Sequence, residues 1–122
     1  MSQFEPGGFL ELARNLWGCD DSDPLFEASQ RSAVSRAYYS AFLVADAKQT
    51  RRTSKHEDLF RHYETHKDRK LISVGQRLRS LYAARCRANY GDLVSDPAWE
   101  AEVAVEEAED LRKIIAEWSG TI

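Results

Sequence analysis

The chain contains few of the residues that build disulfide-rich, collagen-like or membrane-spanning proteins. Its 122 residues include only 2 cysteines, 3 prolines, 6 glycines and 1 methionine. Two cysteines, Cys19 and Cys86, are too few for a disulfide framework. No apolar run approaches the roughly 20 residues that a membrane helix needs, and no basic flank precedes an apolar run at the N-terminus. We therefore expect a cytoplasmic protein without a membrane segment or a secretory signal.

Large apolar side chains, in contrast, are well represented. The chain has 3 tryptophans, 5 tyrosines and 5 phenylalanines, and 43% of its residues are hydrophobic. This composition is typical of a globular domain that buries enough apolar surface to offset its ordering entropy. We predict one domain over residues 1–122, with a core from about residue 9 to residue 118.

Charge is distributed unevenly along the chain. Residues 48–87 hold 12 basic and 4 acidic residues, a balance of +8, whereas residues 1–47 and 88–122 have balances of −4 and −7. A basic block of this kind is typical of proteins that bind a polyanion. It is equally compatible with basic helices that pair with acidic helices inside the fold.

Apolar residues recur with the helical period through most of the sequence. The spacing predicts five helices: one ending near Gly18, one from Asp23-Pro24 to about Thr50, one from Ser54, one from about Arg69, and one from Asp96-Pro97. The Asp-Pro pairs are N-cap signals, and Ser54-Lys55-His56-Glu57 has the form of a capping box. We predict a turn-rich break from Asn89 to Ser95. Because no segment alternates with period two, we predict an all-α fold, an antiparallel bundle of about five helices.

The second predicted helix is apolar on two sides. One stripe contains Val34, Tyr38, Ala41 and Ala45, and a second face contains Tyr39, Leu43 and Ala47. A small bundle has difficulty covering both faces, and an exposed apolar face usually marks an interface. We therefore predict a homodimer through Tyr39, Leu43 and Ala47, since two-fold dimers are the commonest oligomers.

Arg85 occupies an apolar stripe position late in the fourth predicted helix. A guanidinium group stays charged at any protein pH, so it needs partners when it is buried. An internal ion pair, a subunit cleft or an anion site would each supply them. Asn89 and Tyr90 follow Arg85 at the end of the same helix.

Two motifs resemble those of a known family. Arg36-Ala37-Tyr38-Tyr39-Ser40-Ala41-Phe42 resembles the second-helix signature of the HEPN domain (higher eukaryote and prokaryote nucleotide-binding). Arg85-Cys86-Arg87-Ala88-Asn89-Tyr90-Gly91-Asp92 is similar to the Arg-x4-Ala-Asp-Tyr type of motif in small, single-domain prokaryotic HEPN proteins.

The resemblance covers about residues 9–118 and implies a five-helix homodimer with the motif arginines near its two-fold cleft. It also implies a role in toxin–antitoxin or phage-defence systems, often beside a small nucleotidyltransferase antitoxin. Many members are metal-independent ribonucleases whose motif is an arginine, four to six residues and a histidine. Here Tyr90 stands where that histidine would be, and Asn89 replaces the acidic residue common in this branch.

The missing histidine changes the expected chemistry. An imidazole titrates near neutrality and transfers protons, whereas a tyrosine with its usual pKa of about 10 is a poor base at neutral pH. We expect an RNA- or nucleotide-binding module, in which Arg79, Arg85 and Arg87 contact phosphates. One alternative is an inactive dimerisation or assembly subunit. Another is a metal-independent endoribonuclease that uses Arg85, Asn89 and Tyr90.

Three histidines lie between the second and fourth predicted helices. His62 and His66 have a spacing that suits zinc, with Asp58 one turn earlier, but no cysteine cluster or HExxH motif accompanies them. We therefore expect no metal and no cofactor. The sequence gives no ground for placing His56, His62 or His66 beside Arg85.

Overall fold

A computed structural model describes residues 7–18, 25–49, 55–90 and 96–122, excluding the side chain of Tyr90, and contains no strand in these ranges. The helices are α1 (Gly7–Trp17), α2 (Phe26–Lys48), α3 (His56–Glu64), α4 (Arg69–Tyr90) and α5 (Pro97–Glu117). This confirms the predicted all-α bundle. Within the described ranges, no helix combines the length and the apolar character needed to cross a membrane.

Helix α2 is the central element and packs against α1, α4 and α5. Its first apolar stripe is buried, with Tyr38, Ala41 and Ala45 at 0% exposure. On the second face, Tyr39 and Leu43 are only half-buried, and Ala47 is exposed. A single bundle therefore leaves this face partly uncovered.

Alanines allow α2 and α5 to pack closely. Ala33 and Ala37 of α2 and Ala101, Ala104 and Ala108 of α5 are all nearly inaccessible to solvent. The start of α5 follows the predicted capping chemistry, because the carboxylate of Asp96 accepts a hydrogen bond of 3.1 Å from the backbone N–H of Trp99.

Three predicted helix boundaries differ from the structure. Helix α2 begins at Phe26 with Leu25 at the N-cap position, and the predicted start at Asp23-Pro24 lies outside the described residues. Helix α3 begins at His56, and Lys55 at the N-cap position makes no side-chain capping hydrogen bond to the helix. Ser54 also lies outside the described residues.

Helix α4 extends into the predicted break, which was to begin at Asn89, and ends at Tyr90. Its last turn is supported from α2, because a guanidinium N–H of Arg31 donates a hydrogen bond of 3.0 Å to the carbonyl of Ala88. The rest of the predicted break, from residue 91 to residue 95, lies outside the described residues.

Candidate functional site

The side chain of Arg85 stacks on aromatic rings between α2 and α4. Its guanidinium carbon lies 4.8 Å from the ring centre of Tyr39 and 5.9 Å from that of Tyr82. Both distances are within the range of cation–π attraction. Its Nε is buried and has no hydrogen-bond partner, and no described carboxylate forms an ion pair with it. The internal ion pair considered from the sequence is thus absent among the described residues.

His56 lies in the same cluster, a position that was not predicted. Its ring stacks on Tyr82 with centroids 4.8 Å apart and an interplanar angle of 25°, and it lies 4.7 Å from the ring of Phe42. One sequence signal was available: His56 precedes Leu59, Phe60 and Tyr63 at helical spacing, so it continues their buried stripe by one turn. We refer to these cation and ring residues as the Arg85 cluster: Tyr38, Tyr39, Phe42, His56, Phe60, Tyr82 and Arg85.

A hydrogen bond between Tyr38 and His56 orients the imidazole. The hydroxyl of Tyr38 meets Nδ1 of His56, and Tyr38 is completely buried. Burial raises the pKa of Tyr38 well above its usual value, so its hydroxyl keeps its proton. We assign the hydroxyl as donor, because otherwise its buried proton would lack an acceptor. The ring proton of neutral His56 then resides on Nε2.

The electrostatic surroundings keep His56 neutral. Burial, and secondarily the positive charge of Arg85, lower the pKa of His56 below its usual value of 6.5. At neutral pH the cluster therefore contains one fixed cation and one neutral imidazole. Such a set of N–H donors favours an anionic ligand.

The three predicted phosphate contacts have different partners in the structure. The guanidinium carbon of Arg79 lies 5.3 Å from the ring centre of Phe60, a member of the Arg85 cluster. Arg79 is held by carboxylates of α3, with guanidinium nitrogens 2.7 Å from oxygens of both Glu57 and Glu64. Arg87 lines a groove of about 420 Å³ between α4 and α5. Its closest described carboxylate is Glu100, at 3.8 Å. Only Arg85 thus combines the predicted role with a site without a described acidic partner.

The remaining predicted catalytic residues lie at the end of α4. Asn89 is exposed, and Tyr90 is the last residue of the helix. The prediction for the side chain of Tyr90 lies outside the described part of the chain.

Charge pairing between α4 and α5 accounts for part of the uneven charge. Arg77 forms ion pairs with Glu107 and with Asp110, the second at 2.6 Å. Together with Arg87 and Glu100, these contacts join the basic fourth helix to the acidic fifth helix. Internal pairing of Arg77 and Arg87 therefore accounts for part of the basic block.

The predicted dimer face and the predicted anion site share one surface. Tyr39 belongs to the second apolar face of α2 and also lies under the guanidinium of Arg85. Leu43, one helical turn later on α2, continues this surface beside the cluster.

The other two histidines make structural contacts. Nε2 of His62 lies 2.8 Å from the backbone oxygen of Ile122, and the ring of His66 meets Trp118 edge-on at 5.8 Å. Among the described residues, no group of three or more His, Cys, Asp or Glu side chains is arranged to hold a metal ion.

Comparisons of the chain with protein-family models, with curated proteins and with solved structures found no match. The resemblance to HEPN domains therefore rests on the two sequence motifs.

Proposed function

We propose that this chain binds the phosphate group of an RNA or a nucleotide at Arg85, as a HEPN-type module of a toxin–antitoxin or phage-defence system. The observation that carries the proposal is the state of Arg85, a half-buried guanidinium whose Nε has no hydrogen-bond partner. A buried charge without a counter-charge is costly. A bound phosphate would supply the missing counter-charge to the guanidinium.

The rings around Arg85 support a nucleic-acid ligand over a simple anion. Tyr39 and Tyr82 are half-buried, so each presents part of its ring to solvent beside the guanidinium. Stacking of a base on an aromatic ring contributes about 1–3 kcal/mol per base and tolerates any sequence. A phosphate contact next to such rings is the combination that binds unpaired nucleotides.

Replacing Arg85 by alanine should weaken the binding of a fluorescent single-stranded RNA at least tenfold, as measured by anisotropy at low salt. A hydrogen bond to a charged group contributes about 1.5–3 kcal/mol, which corresponds to a factor of about ten or more. The dependence of log affinity on log salt should also become shallower by about one, because one phosphate contact is lost.

Arg14→Ala is the matched control for that experiment. The side chain of Arg14 is 49% exposed and pairs with Glu109 on α5, and neither residue belongs to the Arg85 cluster. The Arg14→Ala variant loses the same positive charge as Arg85→Ala, and its affinity for RNA should change much less. Equal losses of RNA affinity in the two variants, or an RNA affinity that Arg85→Ala leaves unchanged, would refute the proposed site.

The second candidate is an assembly subunit without a nucleic-acid ligand. The ion pairs of Arg77 with Glu107 and Asp110 favour this candidate, because they give basic residues a role in stabilising the fold instead of binding a ligand. Both candidates include a homodimer, and a small nucleotidyltransferase or another defence-system subunit as partner. Loss of binding in Arg85→Ala but not in Arg14→Ala favours the binding module.

The homodimer is tested by placing a charge on the second face of α2. Leu43→Arg should convert the dimer to a monomer in light scattering at micromolar concentration, because a charge would be buried without a partner in the interface. Val103→Arg is the control, since Val103 is 40% exposed on α5, outside that face. A monomeric parent protein, or dissociation only in Val103→Arg, would show that the predicted interface is wrong.

A further inference from the structure

His56 and Arg85 are placed against the same two tyrosines. The imidazole lies 6.2 Å from the ring of Tyr39 and 4.8 Å from that of Tyr82. The guanidinium lies 4.8 Å and 5.9 Å from the same two rings. His56 and Arg85 thus border the same two rings, and Arg85 is near enough to His56 for its charge to lower the pKa of the imidazole.

The hydrogen bonds in the cluster leave donors for a ligand. Nδ1 of His56 is used by the hydroxyl of Tyr38, so Nε2–H is the donor of the neutral ring, and no described residue accepts from it. The half-buried guanidinium of Arg85 forms no ion pair with a described carboxylate. An imidazole N–H and a guanidinium without a described acidic partner suit an oxyanion with several oxygens.

The groups that face His56 leave it without a counter-charge. Helix α2 contributes Tyr38 and Tyr39, and α4 contributes Tyr82 and Arg85. A hydrogen bond with Cys86 raises the pKa of Tyr82, so this phenol is neutral as well.

Within α3, the nearest acidic residue in sequence is Glu57, whose carboxylate is held 2.7 Å from Arg79. No described carboxylate forms an ion pair with His56. Protonation of the ring therefore brings a second positive charge next to Arg85. It also requires the hydroxyl of Tyr38 to turn and accept from Nδ1–H.

We propose that His56 takes up a proton when a phosphate binds at Arg85, and that the site therefore selects a terminal phosphate monoester over an internal phosphodiester. This inference rests on the proposed function. A monoester carries a charge of about −1.5 to −2 at neutral pH, which matches Arg85 and a protonated His56 together. An internal diester carries a single negative charge and matches Arg85 alone.

The direction of the pH dependence follows from the same coupling. The free site holds fewer protons than the complex, so affinity for a phosphate dianion rises as the pH falls. The affinity increases by up to tenfold for each unit by which the pH is lowered. This increase applies between the pKa of His56 in the complex and its lower pKa in the free protein.

Calorimetry with AMP tests the coupling directly. Binding is measured at about pH 7.5, where a phosphate with a second pKa near 6 is already a dianion, in two buffers that differ in ionisation enthalpy. The difference in heat gives the number of protons that the complex takes up from the buffer. We expect clear uptake, up to one proton, with AMP, and at least tenfold weaker binding with little uptake for cyclic AMP.

His56→Gln separates the inference from the proposed function. Glutamine keeps an N–H donor but does not titrate, so we expect this variant to bind AMP without proton uptake and to lose most of its preference over cyclic AMP. The outcome that overturns the inference alone is Arg85-dependent binding of AMP with no proton uptake, or Arg85-dependent binding of RNA without binding of AMP. If neither RNA nor AMP binding depends on Arg85, the proposed function fails as well.

An NMR titration of the His56 ring in the protein without ligand provides an independent check. The expected midpoint lies below 6.5 and moves upward when AMP is added. A midpoint that AMP leaves unchanged contradicts the proposed coupling, whatever the affinities are.

Discussion

Replacing Gly75 by alanine is expected to destabilise the bundle by about 1–3 kcal/mol, the usual cost of overpacking a well-packed interior. Gly75 lies in α4 where this helix crosses α3. A Cβ built there would lie 2.8 Å from the backbone nitrogen of Glu64 and 2.9 Å from the carbonyl oxygen of Phe60. Backbone atoms cannot turn aside as a side chain can, so α3 and α4 would have to separate.

The separation would also disturb the Arg85 cluster. Phe60 and His56 are carried by α3, whereas Tyr82 and Arg85 are carried by α4. We therefore expect Gly75→Ala to weaken RNA binding in addition to stability. A larger residue, as in Gly75→Val, should cost more than alanine.

Gly8→Ala is the matched control in urea unfolding. Gly8 also lies in a helix, α1, but a Cβ there would meet nothing within 4 Å. Alanine is favoured over glycine in a helix interior by about 0.8–1 kcal/mol, so Gly8→Ala should be neutral or stabilising. If Gly75→Ala leaves the urea midpoint unchanged or raises it, the close crossing of α3 and α4 is not present in solution.

The helices could be predicted because their signals are local. At the start of α5, the Asp96-Pro97 pair is a signal within two residues, and the structure has Asp96 as the N-cap and Pro97 as the first helical residue, as predicted. The boundaries that differed depend on more distant contacts. One example is Ala88 at the end of α4, whose carbonyl accepts from Arg31 across the bundle.

The composition of the candidate site could be predicted only in part, for the same reason. Arg85 could be identified as a candidate site residue because its charge interrupts an apolar stripe, and this pattern lies within a single helix. The packing of α3 against α4 determines two other features of the site. It pairs Arg79 with Glu57 and Glu64, and it stacks His56 on Tyr82. No periodicity within one helix contains that information.

The arrangement of His56 bears on whether the chain cleaves RNA. A general base needs an available nitrogen lone pair near the operating pH. Nδ1 of His56 is hydrogen-bonded to Tyr38, and Nε2 carries the proton of the neutral ring. Burial and Arg85 both oppose its protonation in the free protein. His56 is thus suited to donating a hydrogen bond to a phosphate more than to removing a proton from a ribose hydroxyl.

We therefore expect the unmodified protein to cleave RNA slowly or not at all, and Tyr90→His to increase cleavage by about 100-fold or more. A positioned general acid or base contributes about 10²–10⁴-fold, and this substitution rebuilds the Arg-x4-His spacing on α4. Arg85 would stabilise the charge that develops on the phosphate, so adding Arg85→Ala to Tyr90→His should abolish the gain.

Tyr90→Phe is the control for the cleavage assay, because it removes the phenol without adding an imidazole and should remain inactive. The reactions are run with a chelator, since the expected chemistry uses protein groups alone. Rapid cleavage by the unmodified protein, lost in Arg85→Ala, would overturn the expectation and favour the endoribonuclease. Loss of that cleavage in His56→Gln but not in Tyr90→Phe would then assign the proton transfer to His56. The free nitrogen of neutral His56 carries a hydrogen-bond donor and no lone pair. We therefore expect RNA cleavage in Tyr90→His and not in the unmodified protein.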